Sequence, residues 1–465
     1  MASSEIALNE SDLSKARDFA KNSLPQAIGK LGELVKIPGI AWSSFDPREL
    51  QRSAEAVQRG LLELGIFDFV DIRRSKKPDG DSGAPAVVAR RAARNGAPHV
   101  LLYAHHDVQP PGKDELWNSS PFIATLEGER LYGRGASDDK AGIITHLFAL
   151  KGLSEIVDEI DLGITVFIEG EEEAGSPSFQ NFLAENKEDL AADLIVVADS
   201  GNWSETTPAL TASLRGMVGQ TFTVKTLDHA VHSGLFGGPL PDAMTATIKL
   251  LSSFWDENGN VVVSGLASED MKAPEIPVDQ LAKESGMLPG SERMGTAPLA
   301  QQLWGEPAIT VIGLDVPAVD VSSNTALPSV RAKVSVRIAP SQEPTDALAA
   351  LKKHLQAHAP FGAVIEFGES EAGPGYRAKN GRFATLMHQI LSGAWESSSI
   401  DMGIGASIPF IADFAEAFPE AEILVTGVED PDSRAHSPNE SQHLPTLQNS
   451  IAAETALLIH GNRAR

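Results

Sequence analysis

The sequence predicts an α/β fold: a mostly parallel sheet flanked by helices, in a discontinuous domain interrupted by a smaller α+β domain of ferredoxin-like order. Three observations predict it. From residue 99 onward, apolar strand-like runs alternate with segments of helical periodicity, the rhythm of βαβ units. After about Leu210 the order becomes strand, helix, strand, strand, helix, strand, which is the split ferredoxin-like pattern. From about residue 376 the first rhythm returns. A chain of 465 residues is also too long for one ordinary core. The expected segments are 1–211 and 376–465, which form one domain, and the inserted 212–375.

Along the first segment, helical stretches at about 11–36 and 47–64 precede short strands near 67–74 and 85–91. "HVLLYAHH" reads as a buried strand, "KAGIITHLFALKGL" as an amphipathic helix and "LGITVFIEG" as a strand. "SPSFQNFLAENKEDL" reads as a helix and "ADLIVVADS" as a strand. These strands are near-continuous apolar runs, as expected where helices cover both faces of a sheet. In the insertion, "VGQTFTVKTL", "PAITVIGLD", "RAKVSVRIAP" and "GAVIEFGE" read as strands, and "PDAMTATIKLLSSFW" and "PTDALAALKKHLQAH" as helices. Between its first helix and second strand, roughly 259–306 shows no clear periodicity and reads as a lid or a long loop. The last segment adds a helix at "RFATLMHQILSGAW", a strand at "AEILVTGV" and a helix at "TLQNSIAAETALLIHG".

Composition narrows the chemistry. There are no cysteines, so disulfides, thiolate metal sites and a cysteine nucleophile are excluded, and any metal must be held by His, Asp and Glu. Sixty-three acidic against thirty-eight basic residues give a net charge of -25, which repels nucleic acid and anionic membrane. No signal-peptide pattern opens the chain and no stretch approaches the length of a membrane span, so a cytoplasmic protein is expected.

Ligands of open α/β sheets bind beyond the carboxyl ends of the strands. Here polar residues recur at those ends. His105 and Asp107 close one strand; Glu171, Glu172 and Glu173 follow the next; Asp199 closes a third; Asp138 and Asp139 stand before a helix; His436 follows the last strand. Carboxylates crowded in this way repel one another unless cations lie among them, so the pattern predicts a two-metal site. Period-two geometry sends His105 and Asp107 to one side and His106 to the other. Asp107 then suits the role of orienting the second ring nitrogen of His105.

Taken in order, "HHDVQP", "GRGASDDKAG", "EGEEEAGS", "VVAD", "HSGLFGG", "GASIP" and "AHSPNE" resemble the successive motifs of a di-zinc metallopeptidase family. That family includes carnosine-type dipeptidases, glutamate carboxypeptidase, aminoacylase, acetylornithine deacetylase and succinyl-diaminopimelate desuccinylase. The dipeptidase branch is the nearest in motif. The resemblance implies His105, Asp138 and Asp199 on one zinc ion, with Asp138 bridging to a second held by Glu173 and His436. Manganese or cobalt could replace zinc. It implies Glu172 as the general base that takes a proton from water shared by the metals, leaving the attacking hydroxide, with Asp107 assisting. Glu171 leaves that assignment open by one position. It further implies a cis peptide between Asp138 and Asp139, and His232 as an oxyanion stabiliser that reaches a partner subunit's site. Arg337 is implied as the holder of the substrate carboxylate, with Gly405 and Ser407 lining the substrate site. The implied activity is hydrolysis of small dipeptides with a free C-terminal carboxylate, in a homodimer formed through the inserted lid and dimerisation domain.

Taken singly, each cluster has a plainer explanation. An acidic run is usually a solvated face, His232 a turn histidine and Arg337 a strand residue facing water. Five metal-competent clusters, at four predicted strand ends and one helix entry in one chain, outweigh those readings. His106, His146 and His229 are expected to be structural. An N-acyl amino acid deacylase or desuccinylase using the same site is the other enzymatic reading. A metal-binding protein without turnover is the non-enzymatic one, and a proton-shuttling Glu172 speaks against it.

Overall fold

The computed structural model describes residues 8–379, 381–405 and 409–464. The chain divides into two compact units, one made of Met1–Ala212, Ala378–Met402 and Asp413–Arg465, the other of Ser213–Arg377 and Gly403–Ala412.

The first unit is built on a six-stranded sheet in the order Phe69–Arg73, Ala86–Arg91, Gly163–Glu169, His99–His105, Leu194–Val197, Glu422–Val425. The last four strands are parallel, with Leu102 opposite both Val166 and Val196, and Leu424 opposite Val196. Their carboxyl ends therefore lie along one edge. The two outer strands are antiparallel additions. Alternation along the central strand explains its unbroken apolar sequence, because both faces are covered. Leu102 and Ala104 enter a core shared with Ile144, Leu150, Ile451 and Leu458 of the helices Lys140–Ile156 and Leu444–Arg463. Tyr103 points the other way, into an aromatic group in which Phe167 stacks on Phe182 at 5.0 Å and Tyr103 meets Phe414 edge-on at 5.9 Å.

Two details differ from the sequence reading. The helix expected over "SPSFQNFLAENKEDL" is two, Phe179–Glu185 and Lys187–Leu190. They break at Asn186, whose side chain turns back to donate to the Phe182 carbonyl, a competition with helical bonding typical of asparagine. A small sheet of Ser441–His443, Arg130–Tyr132 and Thr125–Glu127 was not expected, since three-residue strands carry too short a pattern to read.

The second unit carries a four-stranded antiparallel sheet in the order Ala308–Asp315, Ser329–Ile338, Gly216–Lys225, Val364–Gly373. One face packs on the helices Ala243–Ser252 and Pro344–Ala357, burying Val218, Phe222, Val334, Val336, Leu250 and Leu351. The chain order is the ferredoxin-like one. Within 259–306 stand two short helices, Val278–Ser285 and Leu299–Trp304. At eight and six residues they are too brief for a periodic signal, yet a proline precedes each and a glycine follows each, the ordinary punctuation of helix ends.

Candidate metal centre

The strand-end residues of the first unit converge. His105, the last residue of its strand, holds Nε2 3.0 Å from Asp138 Oδ1 and 3.7 Å from Asp199 Oδ1. The other oxygen of Asp138, Oδ2, lies 2.9 Å from His436 Nε2, and that nitrogen is 3.1 Å from Glu173 Oε2. Two triads of ligand atoms result, His105–Asp138–Asp199 and Asp138–Glu173–His436, joined through Asp138.

The supports of these groups explain their placing. The peptide between Asp138 and Asp139 is cis, and Asp139 caps the helix Lys140–Ile156 by accepting from Gly142 N. Glu440 receives the backbone N–H groups of Gly135, Ser137 and Asp138 together with Arg134 Nη1, and so pins the turn that presents Asp138. Asp107 accepts from the N–H groups of Glu172 at 3.2 Å and Glu173 at 3.1 Å, while His105 Nδ1 sits 3.1 Å from its carbonyl oxygen. One aspartate thus fixes both the histidine ring and the turn that carries the glutamates.

The three consecutive glutamates separate by environment. Glu171 is 3 % exposed and saturated, accepting from Ala84 N, Ser178 N and Ser178 Oγ. Glu173 accepts from Gln109 N at 3.1 Å and Gln109 Nε2 at 2.7 Å, and faces His436. The Glu172 carboxyl makes no hydrogen bond among the described residues; burial first, then Asp199, pushes its pKa well above the usual carboxylate range.

The electrostatics of the cluster are those of a place that collects positive charge. Burial disfavours the charged form of His105, but Asp199, Asp107 and Asp138 override it and raise its pKa. Asp138 and Glu173 raise His436 to about 11. Among the described residues no lysine or arginine forms an ion pair with Asp138, Glu172, Glu173 or Asp199. Five His and carboxylate donors with a shared aspartate, none paired to a lysine or arginine among the described residues, are a donor set that suits two divalent ions of the zinc type.

His106 is fully buried and turned away, with Nε2 bonded to the Pro85 carbonyl at 2.7 Å, and it packs so closely on Gly170 that a Cβ there would lie 2.7 Å from the ring. His146 is buried between Glu454 and the Tyr103 carbonyl, and His229 pairs with Asp228 at the surface. His232, Arg337 and Gly405 belong to the second unit. There His232 is exposed, its Nδ1 accepting from Gly234 N, and the Gly405 carbonyl accepts from Arg215 Nε. Ser407 lies outside the described residues. The sequence reading missed two neighbours of the cluster, Gln109 and Glu429. The Glu429 carboxyl is raised by burial and then by Asp138 and Asp199. Both stand a few residues past a strand end, the one signal that could have marked them.

A further group at ligand distances, Glu205, Asp430 and His443, is of another kind. Arg130 occupies it, with Nη1 2.7 Å from Glu205 Oε1 and Nη2 2.8 Å from Asp430 Oδ2.

The model of Peptidase family M20/M25/M40 matches residues 101–460. A cysteinylglycine-S-conjugate dipeptidase of Corynebacterium striatum is 32% identical over 416 residues, covering 88% of this chain and 90% of that protein. A Beta-Ala-His dipeptidase of Rattus norvegicus is 29% identical over 327 residues, 67% of this chain and 66% of that one. The crystal structure of human carnosine dipeptidase 1 superposes with a TM-score of 0.75 at 21% identity, across 97% of this chain and 99% of that one, a likeness of fold. With the family match spanning most of its length and a relative 32% identical across 88% of it, the chain belongs to peptidase family M20/M25/M40 and is a metallopeptidase.

Proposed function

We propose that the chain is a metallodipeptidase, cleaving the peptide bond of small dipeptides that end in a free carboxylate. The observation that carries this reading is the pair of triads sharing Asp138, set in a chain whose relatives are named dipeptidases. His105, Asp138 and Asp199 would hold one divalent cation, and Asp138, Glu173 and His436 the other, zinc first, with manganese or cobalt as alternatives. Bound there, the two ions would supply the positive charge that acidifies water and polarises the scissile carbonyl.

The remaining work belongs to side chains. Glu172, whose carboxyl is free of hydrogen bonds within the described residues while its neighbours are engaged, takes the proton from water and returns it to the leaving nitrogen. Asp107 holds the imidazole of His105 and the backbone of Glu172 in one arrangement. From the second unit, the family resemblance supports Arg337 as the binder of the substrate carboxylate and His232 as the oxyanion stabiliser, with Gly405 and Ser407 lining the substrate site. A homodimer through the second unit is supported by its exposed apolar side chains, Leu235 and Phe236 beside His232, and Val319 and Val321. The absence of cysteine supports a reducing compartment, the cytoplasm.

The test is an assay of metal-loaded protein on unmodified dipeptides, their C-terminal amides, and N-acetyl and N-succinyl amino acids. Free dipeptides are expected to be the best substrates. Faster turnover of the N-acyl amino acids would replace the dipeptidase reading with the deacylase one.

A further inference from the structure

Arg215 is a guanidinium that no carboxylate of the described residues answers. It is 8 % exposed, and none of its bonds among the described residues is to an acid. Nε donates to the Gly405 carbonyl at 3.0 Å, and Nη1 to the carbonyls of Gln302 at 3.3 Å and Glu306 at 3.2 Å. Its own backbone N–H donates to Ile404 O, so main chain and side chain grip two adjacent residues. Nη2 is left without a bond to any described residue. A Cβ at Gly405 would stand 2.9 Å from it, so glycine at that position keeps the nitrogen uncovered.

One charge that acts on Arg215 is that of another arginine, Arg337. Burial first, and then Arg337, bring Arg215 down to about 10. Strand pairing accounts for the approach: Arg337 lies opposite Met217, two residues beyond Arg215. Arg337 alternates with Val336 and Ile338, which enter the core, so its side chain leaves from the opposite face of the sheet. Three carbonyl dipoles orient Arg215 but do not offset a full charge, and a buried cation beside a like charge is costly unless an anion completes the group. That this occurs in a chain with a net charge of -25, where carboxylates are plentiful, marks the spot as reserved for an anion from outside. A planar guanidinium with an uncovered nitrogen is suited to a carboxylate.

We propose that Arg215 and Arg337 together form a receptor for two carboxylates, so that dipeptides ending in aspartate or glutamate are favoured over their neutral counterparts. The inference rests on the dipeptidase reading, in which Arg337 takes the α-carboxylate; Arg215 then takes the side-chain carboxylate of the residue to be released.

L-Glutamate and L-glutamine, equal in shape and differing by that one charge, are the probes. Calorimetric titration into the metal-loaded protein should show glutamate bound tighter by about tenfold or more, as expected of a charge-assisted hydrogen bond in a buried setting. Arg215→Met should abolish the difference while leaving glutamine affinity within about threefold, and Arg215→Lys should keep part of it. Equal affinity for the two ligands in the unaltered protein, or a parallel loss of both in Arg215→Met, overturns the receptor and leaves Arg215 as a clamp on the Ile404–Gly405 backbone. Should the methionine variant not fold, the unaltered enzyme still decides, because hydrolysis of Ala-Gln as fast as Ala-Glu sinks the proposal. A protein that prefers glutamate but cleaves no dipeptide would sink the dipeptidase reading instead.

Discussion

Two groups in the first unit bring carboxylates and a histidine to ligand distances, and they differ in what lies between the charges. Around Glu205, Asp430 and His443 the chain provides its own cation, Arg130, whose Nη2 reaches both oxygens of Asp430 and whose Nε donates to Ser441 Oγ. Around Asp138, among the described residues, no lysine or arginine forms an ion pair with the ligand carboxylates. His105 and His436 are driven toward the protonated state instead, which is what a negative cluster does when nothing else neutralises it. The comparison teaches that convergence of ligand atoms does not by itself make a metal site. What distinguishes one is convergence with the positive charge left out.

The largest expected effect lies at the carboxylate that would hold no metal and finds no hydrogen-bond partner among the described residues. Glu172→Gln should lower kcat by roughly two to four orders of magnitude, the usual worth of a general base, while metal analysis still finds two ions per chain. Loss of metal together with activity would make Glu172 a ligand and undo the contrast with Glu173. Glu171→Gln should act on stability rather than chemistry, because its carboxylate already serves three donors. If it were the variant that kept metal and lost turnover, the glutamate register would be wrong by one.

His436→Ala comes next, because it removes a donor from the cluster that lacks a cation. Calorimetry of zinc binding should show one of two ions weakened by about a hundredfold or more, in line with losing one of few protein ligands. Arg130→Met attacks the other group. Arg130 is 13 % exposed in its side chain and Asp430 is not exposed at all, so the variant leaves a buried carboxylate uncompensated, at about 3 kcal/mol in chemical denaturation. Zinc stoichiometry should stay at two. Gain of a zinc ion by Arg130→Met would be equally instructive, since it would show the arginine standing where a metal otherwise could.

The contrast between the two groups was half legible in the sequence. His105, Glu173, Asp199 and His436 could be picked out because ligand chemistry coincided with predicted strand ends, and Asp138 because it stands at a predicted helix entry; both are readable from apolar runs. The choice among Glu171, Glu172 and Glu173 was not readable, since it depends on Ala84 and Ser178 reaching Glu171 and on Gln109 reaching Glu173, contacts 64 to 87 residues apart for Ala84 and Gln109. Arg130 and Asp430 are 300 residues apart, the first on a three-residue strand that leaves no periodic trace and the second on no strand at all. Arg215 sits in "SLRG", where nothing local says that its charge will go unanswered; that is a property of what the fold fails to place beside it.

The smallest effect expected is that of His443→Ala, and it bears most directly on the comparison. By composition alone His443 is as good a ligand as His436, a histidine within reach of two carboxylates. Its Nδ1, however, pairs with Thr446 Oγ1 at 2.9 Å, and its Nε2 is 4.0 Å from Glu205, whose carboxylate is already held by Arg130. Removing the ring costs one hydrogen bond and some buried contact, about 1 kcal/mol, and should leave zinc stoichiometry, zinc affinity and kcat/KM for dipeptides within about twofold of the unaltered protein, since no metal ligand and no base is touched. A loss of one zinc ion in His443→Ala, with the His436→Ala protein still binding two, would reverse the assignment of the two groups: the arginine-filled cluster would be the one that opens to metal, and the absence of an internal cation around Asp138 would have to be explained by protons alone.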